Sequence, residues 1–298
     1  MRAHVGASIL DLWDASGAPS LVVVGTGKNV GKTVTLRAIY RAALQAGICC
    51  GITSIGRDGE AVDAADARAK PRLLLAPGTI LATARGVLPR SPASEILATS
   101  PLRTAAGPLI YARVRADAHY EIIGPPSAAT LRAAIHELLH FAPRALIDGA
   151  VDRIAALAGG EDAVVVSCGA SAAPTLRDVV DDVRALVTKL RTPACQEGIE
   201  VVAWQGAFTA SHAARAIHDG EKRAIVVRDP TQIAMNGKAL LHAFERLTIR
   251  CERPLRVIAA TVASIGRDRE CDPRELAGAV ALATGLPVFD VYTAERAA

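Results

Sequence analysis

The stretch that most constrains this chain is SLVVVGTGKNVGKTVT, residues 20–35. A short apolar run leads into a glycine-rich turn. The turn opens into a pattern with apolar positions at helical spacing, Val34, Leu36, Ile39 and Ala43, closed by Gly47. Strand, glycine-rich turn and helix, in that order around Gly31-Lys32-Thr33, are the sequence form of a phosphate-binding loop. The usual pattern, G-x-x-x-x-G-K-[ST], has four residues between its glycines. Here the first glycine is Gly25, and Thr26, Gly27, Lys28, Asn29 and Val30 all stand between it and Gly31. The chemistry tolerates the extra residue. Backbone N–H groups along Gly25–Gly31, joined by those of the helix start through Val34, can surround a phosphate. Lys32 can reach the β- and γ-phosphates, and the Thr33 hydroxyl can ligate Mg²⁺. Lys28 reads as a solvated lysine that helps attract a triphosphate.

The rest of the chain repeats the alternation. Further strands are expected within 49–56, 71–76, 108–115, 120–124, 144–149, 162–169, 199–204, 223–229, 255–261 and 287–292. Helices are expected at about 127–141, 174–190, 209–218, 231–246 and 272–284. Strand–helix–strand alternation implies an α/β fold with a doubly wound, mostly parallel sheet. Hydrophobic residues make up 51% of the 298-residue chain but aromatics only 3%. The core must therefore be Val, Ile, Leu and Ala, which suits buried parallel strands. YARVRADAHYEIIG alternates and turns at Ala116-Asp117, predicting an edge hairpin. The segment 191–200 is the softest boundary, so a P-loop core over 1–190 and a C-terminal α/β part over 191–298 are expected, the latter able to continue the same sheet.

Other features narrow the class. The net charge of +4 is mild and not interleaved with aromatics, so no nucleic-acid surface is expected. The six cysteines include no C-x-x-C pair and read as small buried hydrophobes in a reduced, cytoplasmic compartment. No apolar run reaches membrane-spanning length. The histidines lack metal-ligand spacing, His136 and His140 included.

Three segments can complete a nucleotide site. RALIDG ends an apolar run at Asp148, where an acid beside the P-loop strand can hold a Mg²⁺-bound water. A strand-terminal Asp-Gly turn is the competing reading, with Asp152 the fallback acid. In TSIGRDGE, residues 53–60, Asp58 can join the metal sphere and Arg57 can meet phosphate charge; a plain Asp-Gly turn competes. In EIIGPPS, residues 121–127, Ser127 reads as a helix cap and Glu121 as a weaker site candidate. The pentapeptide Ser54–Asp58 recurs as Ser264–Asp268. Guanine recognition through [NT]-K-x-D is absent, since Thr188-Lys189-Leu190-Arg191 lacks the aspartate. ATP with Mg²⁺ is the expected cofactor.

The Gly25-Thr26 start and the five-residue spacing resemble the loop of dethiobiotin synthetase, in the P-loop branch that also holds the MinD/ParA ATPases. The signature lysine of the latter would fall on Gly27, so that role is not transferred to Lys28. GTGKNVGKT, GITSIGRDGE, PGTILATA, EIIGPPS, LIDGAVDR and VVSCGAS, in this order over about residues 20–175, resemble the ATPase subunit of the reactivating factor for adenosylcobalamin-dependent lysine 5,6-aminomutase. The resemblance implies an ATP-hydrolysing, oligomeric, chaperone-like protein. Its partner would be a cobalamin-dependent aminomutase or a second reactivase subunit. Lys32, Asp58 and Asp148 would carry turnover, with Thr33, Asp58 and Asp148 at the metal. After LIDGAVDR the chain has IAALAGGED where a Ser-rich stretch is expected. Two other classes stay open: an ATP-dependent ligase of a small carboxylic acid, like dethiobiotin synthetase, and a nucleotide-binding regulatory subunit without turnover.

Overall fold

A computed structural model describes residues 5–56, 72–89, 92–149, 157–159, 162–266 and 269–292. The chain packs as two units, one of Met1–Val23 with Thr33–Ala156, the other of Val24–Lys32 with Leu157–Ala298.

In the first unit, helix α1 (Val5–Ser16) precedes strand β1 (Ser20–Gly25), which leads through the glycine-rich loop into α2 (Lys32–Gln45). Then come β2 (Cys50–Ser54), β3 (Leu73–Leu75), β4 (Ile80–Ala84), β5 (Ser94–Thr104), β6 (Gly107–Val114), β7 (Ala118–Tyr120), α3 (Ala128–Leu138) and β8 (Arg144–Asp148). The sheet order is β1-β8-β2-β4-β6-β5. The first four strands are parallel, and β6 and β5 add antiparallel. The strand β1 is buried along its whole length, which is why it reads as a continuous Val run rather than an alternation. Leu21, Val22 and Val23 are fully buried, each worth about 1.5–3 kcal/mol of transfer free energy. The end of α2 closes as a Schellman motif: the Gly47 N–H donates to Leu44 O at 3.0 Å and the Ile48 N–H to Ala43 O at 2.8 Å.

The second unit holds β9 (Ala163–Gly169), α4 (Leu176–Leu190), β10 (Val201–Ala203), β11 (Phe208–Thr209), α5 (Ala210–His218), β12 (Ala224–Val227), β13 (Ile233–Ala234), α6 (Gly237–Arg246), β14 (Ile249–Cys251), β15 (Arg256–Ala263), α7 (Pro273–Thr284) and β16 (Val288–Asp290). Here β16, β15 and β9 run parallel. A second parallel sheet, β10-β12-β14, packs α5 and α6 over Phe208, Ile225, Val227, Ile233, Leu240 and Ile249. Thr209 opens α5 with a reciprocal capping box to His212.

The α/β class with a mostly parallel sheet is as expected. The edge hairpin exists, but one strand earlier than the alternation suggests. The strands β5 and β6 pair around Thr104↔Gly107, whereas Ala116-Asp117 merely carries the chain from β6 to β7, which pairs with β3 instead. The helix expected over 231–246 starts at Gly237, because Asp229 caps a 3-10 turn at Pro230–Gln232 and Ile233–Ala234 pairs with Phe208–Thr209. Helix α1 and strands β4, β5 and β14 fall outside the expected elements, while β13 lies within, and β11 at the start of, an expected helix. Among the described residues no helix is long and apolar enough to cross a membrane.

Candidate nucleotide site

The strand β1 delivers the chain to Gly25 with every residue buried, and the loop then turns back on itself. Val30 is buried inside the turn at 1% exposure. A Cβ on Gly25 would stand 2.7 Å from Val30 Cγ2 and 3.0 Å from the Lys32 stem, so only glycine lets the first and last thirds of the loop approach. Asn29 at φ 59 and Gly31 at φ 87 both take the left-handed region. Asn is among the few residues with a side chain that tolerate it. Two left-handed residues so close together turn the chain sharply between Gly25 and α2. The Lys32 ammonium donates to Gly27 O at 2.6 Å and thus lies folded across the loop mouth. The Thr26 N–H donates to Ser167 O at 3.0 Å, fixing the loop to β9.

Three neighbours outside the sequence-level candidates complete the wall. A Cβ on Gly31 would meet Ala263 Cβ at 3.0 Å and Val291 Cγ2 at 3.3 Å. A Cβ on Gly169 would meet Ala263 Cβ at 3.0 Å and Val30 Cα at 3.2 Å. A signal for two of them exists in the sequence: small residues, Gly169 and Ala263, end two apolar strands. Gly27 is different, since a methyl added there would have its nearest neighbour, Val30 Cγ1, at 3.7 Å. A methyl there would make only ordinary contacts, with Val30 and with Ala172 Cβ at 4.0 Å.

Thr33 and Val34 sit in the first turn of α2, which has no acidic residue there. Lys28 and Asn29 are exposed. Asp148 ends β8, in register with Val23 on one side and Ser54 on the other, and its carbonyl accepts the Ile55 N–H at 3.1 Å. It thus stands at the carboxyl end of a parallel strand. The next residue does turn the chain, with the Gly149 N–H donating to Val23 O at 3.1 Å. Arg57, Asp58 and Asp152 lie outside the described residues.

Ser54 holds the start of its loop through Oγ, which donates to Ile122 O at 2.9 Å and accepts from the Gly124 N–H at 3.2 Å. In the second copy of the pentapeptide, Ser264 follows β15 and its N–H donates to Asp290 Oδ2 at 3.2 Å. Both copies leave the carboxyl ends of parallel strands, where open α/β sheets bind ligands. Ser127 caps α3, and Glu121 lies just past β7 with its carbonyl accepting from Thr83 Oγ1 at 3.2 Å. The tetrapeptide Thr188–Arg191 closes α4 rather than a strand. Its Lys189 is buried against Met235 O and Asn236 Oδ1, at 3.4 and 3.3 Å. Cys168, on β9, is buried in the sheet, and burial pushes its thiol up to about 12. It is an inert core thiol. The rings of His136 and His140 touch at 4.9 Å, but no group of His, Cys, Asp and Glu fit to hold a metal occurs among the described residues.

The residues suit a bound phosphate in donor chemistry: a glycine-rich turn with two left-handed positions, a lysine folded over it and the start of α2 behind it. The Thr26 hydroxyl is also buried without a hydrogen-bond partner among the described residues, a donor left over by the fold itself. No family model, curated protein or solved structure matches the chain.

Proposed function

We propose that the chain is a P-loop protein that binds and hydrolyses MgATP. The observation that supports this best is the loop itself: Gly31 takes φ 87 while the Lys32 ammonium folds to 2.6 Å from Gly27 O. The loop amides and Lys32 would hold the β- and γ-phosphate oxygens, and the Thr33 hydroxyl and the Asp148 carboxylate are the oxygen ligands this chain offers to Mg²⁺. Bound Mg²⁺ would neutralise charge on those phosphate oxygens. Lys28, at the exposed face of the loop, would raise the local concentration of a polyanion. Arg57 and Asp58 keep their proposed roles at the phosphate and the metal.

Titration calorimetry with MgATP tests the reading. Lys32→Ala should weaken binding at least tenfold, since a charge-assisted bond to phosphate is worth about 1.5–3 kcal/mol. Equal affinity in parent and variant would overturn the P-loop assignment. Asp148→Asn keeps size and removes charge, so it should slow Mg²⁺-dependent phosphate release while leaving nucleotide affinity within about threefold. Unchanged turnover would reduce Asp148 to its turn role.

We further propose, on the resemblance described above, that turnover serves reactivation of an adenosylcobalamin-dependent aminomutase. Nucleotide-dependent ordering of loops is a general means of biasing a bound partner. ADP formation stimulated by such a mutase supports this role. Stimulation by a small carboxylic acid alone would assign the chain to the ligases instead.

A further inference from the structure

Away from the loop, in the first unit, α2 and the small β3–β7 ribbon enclose a cavity of about 330 Å³, within the lower range of small-ligand sites. The ladder pairs Leu74 with His119, so both side chains project from one face of the ribbon, opposite the buried Leu73, Leu75 and Tyr120. That face looks onto Arg37, Arg41 and Leu44 of α2. Arg37 and Arg41 are one helical turn apart and share a side. Among the described residues Arg37 Nη2 donates to a backbone carbonyl, Arg72 O, at 3.1 Å. Among the described residues Arg41 makes no hydrogen bond or ion pair. Asp117 lines the same cavity, so its described lining sets two guanidinium groups against one carboxylate. Tyr40 braces the wall: its hydroxyl bonds Thr79 Oγ1 at 2.6 Å and accepts the Ala76 N–H at 2.8 Å. Leu74 is 54% exposed and Leu44 36%, an apolar surface directly beside the Arg41 charge.

We propose that this cavity binds a small organic anion, a phosphate monoester or carboxylate with an apolar body. The acidic head bridges Arg37 and Arg41 with the His119 imidazole as a further donor, and the apolar body covers Leu44 and Leu74. Two guanidinium forks one turn apart suit an acid with several oxygens better than a halide. Asp117 disfavours highly charged polyanions and can accept from a hydroxyl of the ligand.

Titration of the ¹⁵N-labelled full chain with hexyl phosphate, hexanoate and inorganic phosphate tests the site. Hexyl phosphate or hexanoate should shift the amides of Leu74, Ala76 and His119, and which of the two binds more tightly assigns the head group. Phosphate captured by the nucleotide loop would instead shift Gly25–Gly31. Arg41→Gln removes an exposed side chain without structural bonds, and should weaken binding by roughly tenfold, the value of one charge-assisted contact. Leu74→Ser should weaken hexyl phosphate and hexanoate but not inorganic phosphate. No shift at the ribbon, equal affinity for inorganic phosphate and hexyl phosphate, or indifference to Arg41→Gln would each overturn the proposal.

Discussion

Gly27 and Gly31 share one loop but carry different duties, and substitution separates them. Gly31 has φ 87 and its Cβ position is 3.0 Å from Ala263 Cβ. Gly31→Ala should therefore cost roughly 1–3 kcal/mol of stability through backbone strain and crowding, read as a lower urea midpoint at unchanged slope. Gly27 has neither constraint, its nearest Cβ neighbour being 3.7 Å away. Gly27→Ala should leave stability within about 0.5 kcal/mol. A loss at Gly27 equal to that at Gly31 would show that the loop is packed more tightly than its contacts indicate. Gly25 and Gly31 are both legible in the sequence as loop glycines. That Gly25 is required by the approach of Val30, and Gly31 by Ala263, is not. The Ala263 contact depends on a residue far along the chain.

At the scale of elements, the buried strands are the legible part. The Val-rich runs at 20–25 and 162–169 become β1 and β9 because strands buried on both faces cannot carry polar alternation. Half-buried elements are harder. The eleven residues of β5 alternate poorly and include Pro101, as an edge strand permits, so periodicity does not reveal it. Helix α1 is short and has a weak pattern, although Ile9 and Trp13, four residues apart, are both fully buried. Trp13 is the anchor of that helix. Its Nε1 donates to Ala18 O at 2.9 Å and the Arg144 guanidinium lies 5.3 Å over its ring. Trp13→Ala should cost about 3–5 kcal/mol and Trp13→Phe about 1 kcal/mol, measured by equilibrium unfolding. A smaller loss for Ala would mean that α1 contributes little to its unit. The candidate site is legible to the same degree: the loop and Asp148 follow from local order, whereas Ser167, Gly169 and Ala263 enter only through sheet pairing.

For the whole molecule, buried titrating groups set the response to alkali. Burial pushes the thiols of Cys50, Cys168 and Cys251 up to about 12 from 9.0. Folded pKa values above the unfolded ones mean that the native state holds more protons, so this stabilisation is complete below pH 9.0 and lost as pH rises toward about 12. Lys189 acts oppositely. Burial lowers its pKa from 10.5, so stability rises with pH between its folded value and 10.5. Burial also raises the pKa values of Cys49, Tyr40, Tyr111 and Tyr120, so the thiols and phenols outweigh Lys189, and urea-unfolding free energy should fall between about pH 9 and about pH 11 by on the order of a few kcal/mol. The fall should be steeper in Lys189→Met and shallower in Cys168→Ala. A flat profile would show that these thiols are solvated. The loop's attachment to β9 has a consequence for biosynthesis. Residues 24–32 leave the ribosome about 130 residues before Ala163–Gly169, roughly 10 s at ordinary elongation rates. Over that interval the nascent chain carries a glycine-rich segment whose docking strand has not yet been made. The loop gains the wall it docks on only once β9 has been translated, and a premature stop before β9 would release a chain with its glycine-rich segment intact and no wall to hold it.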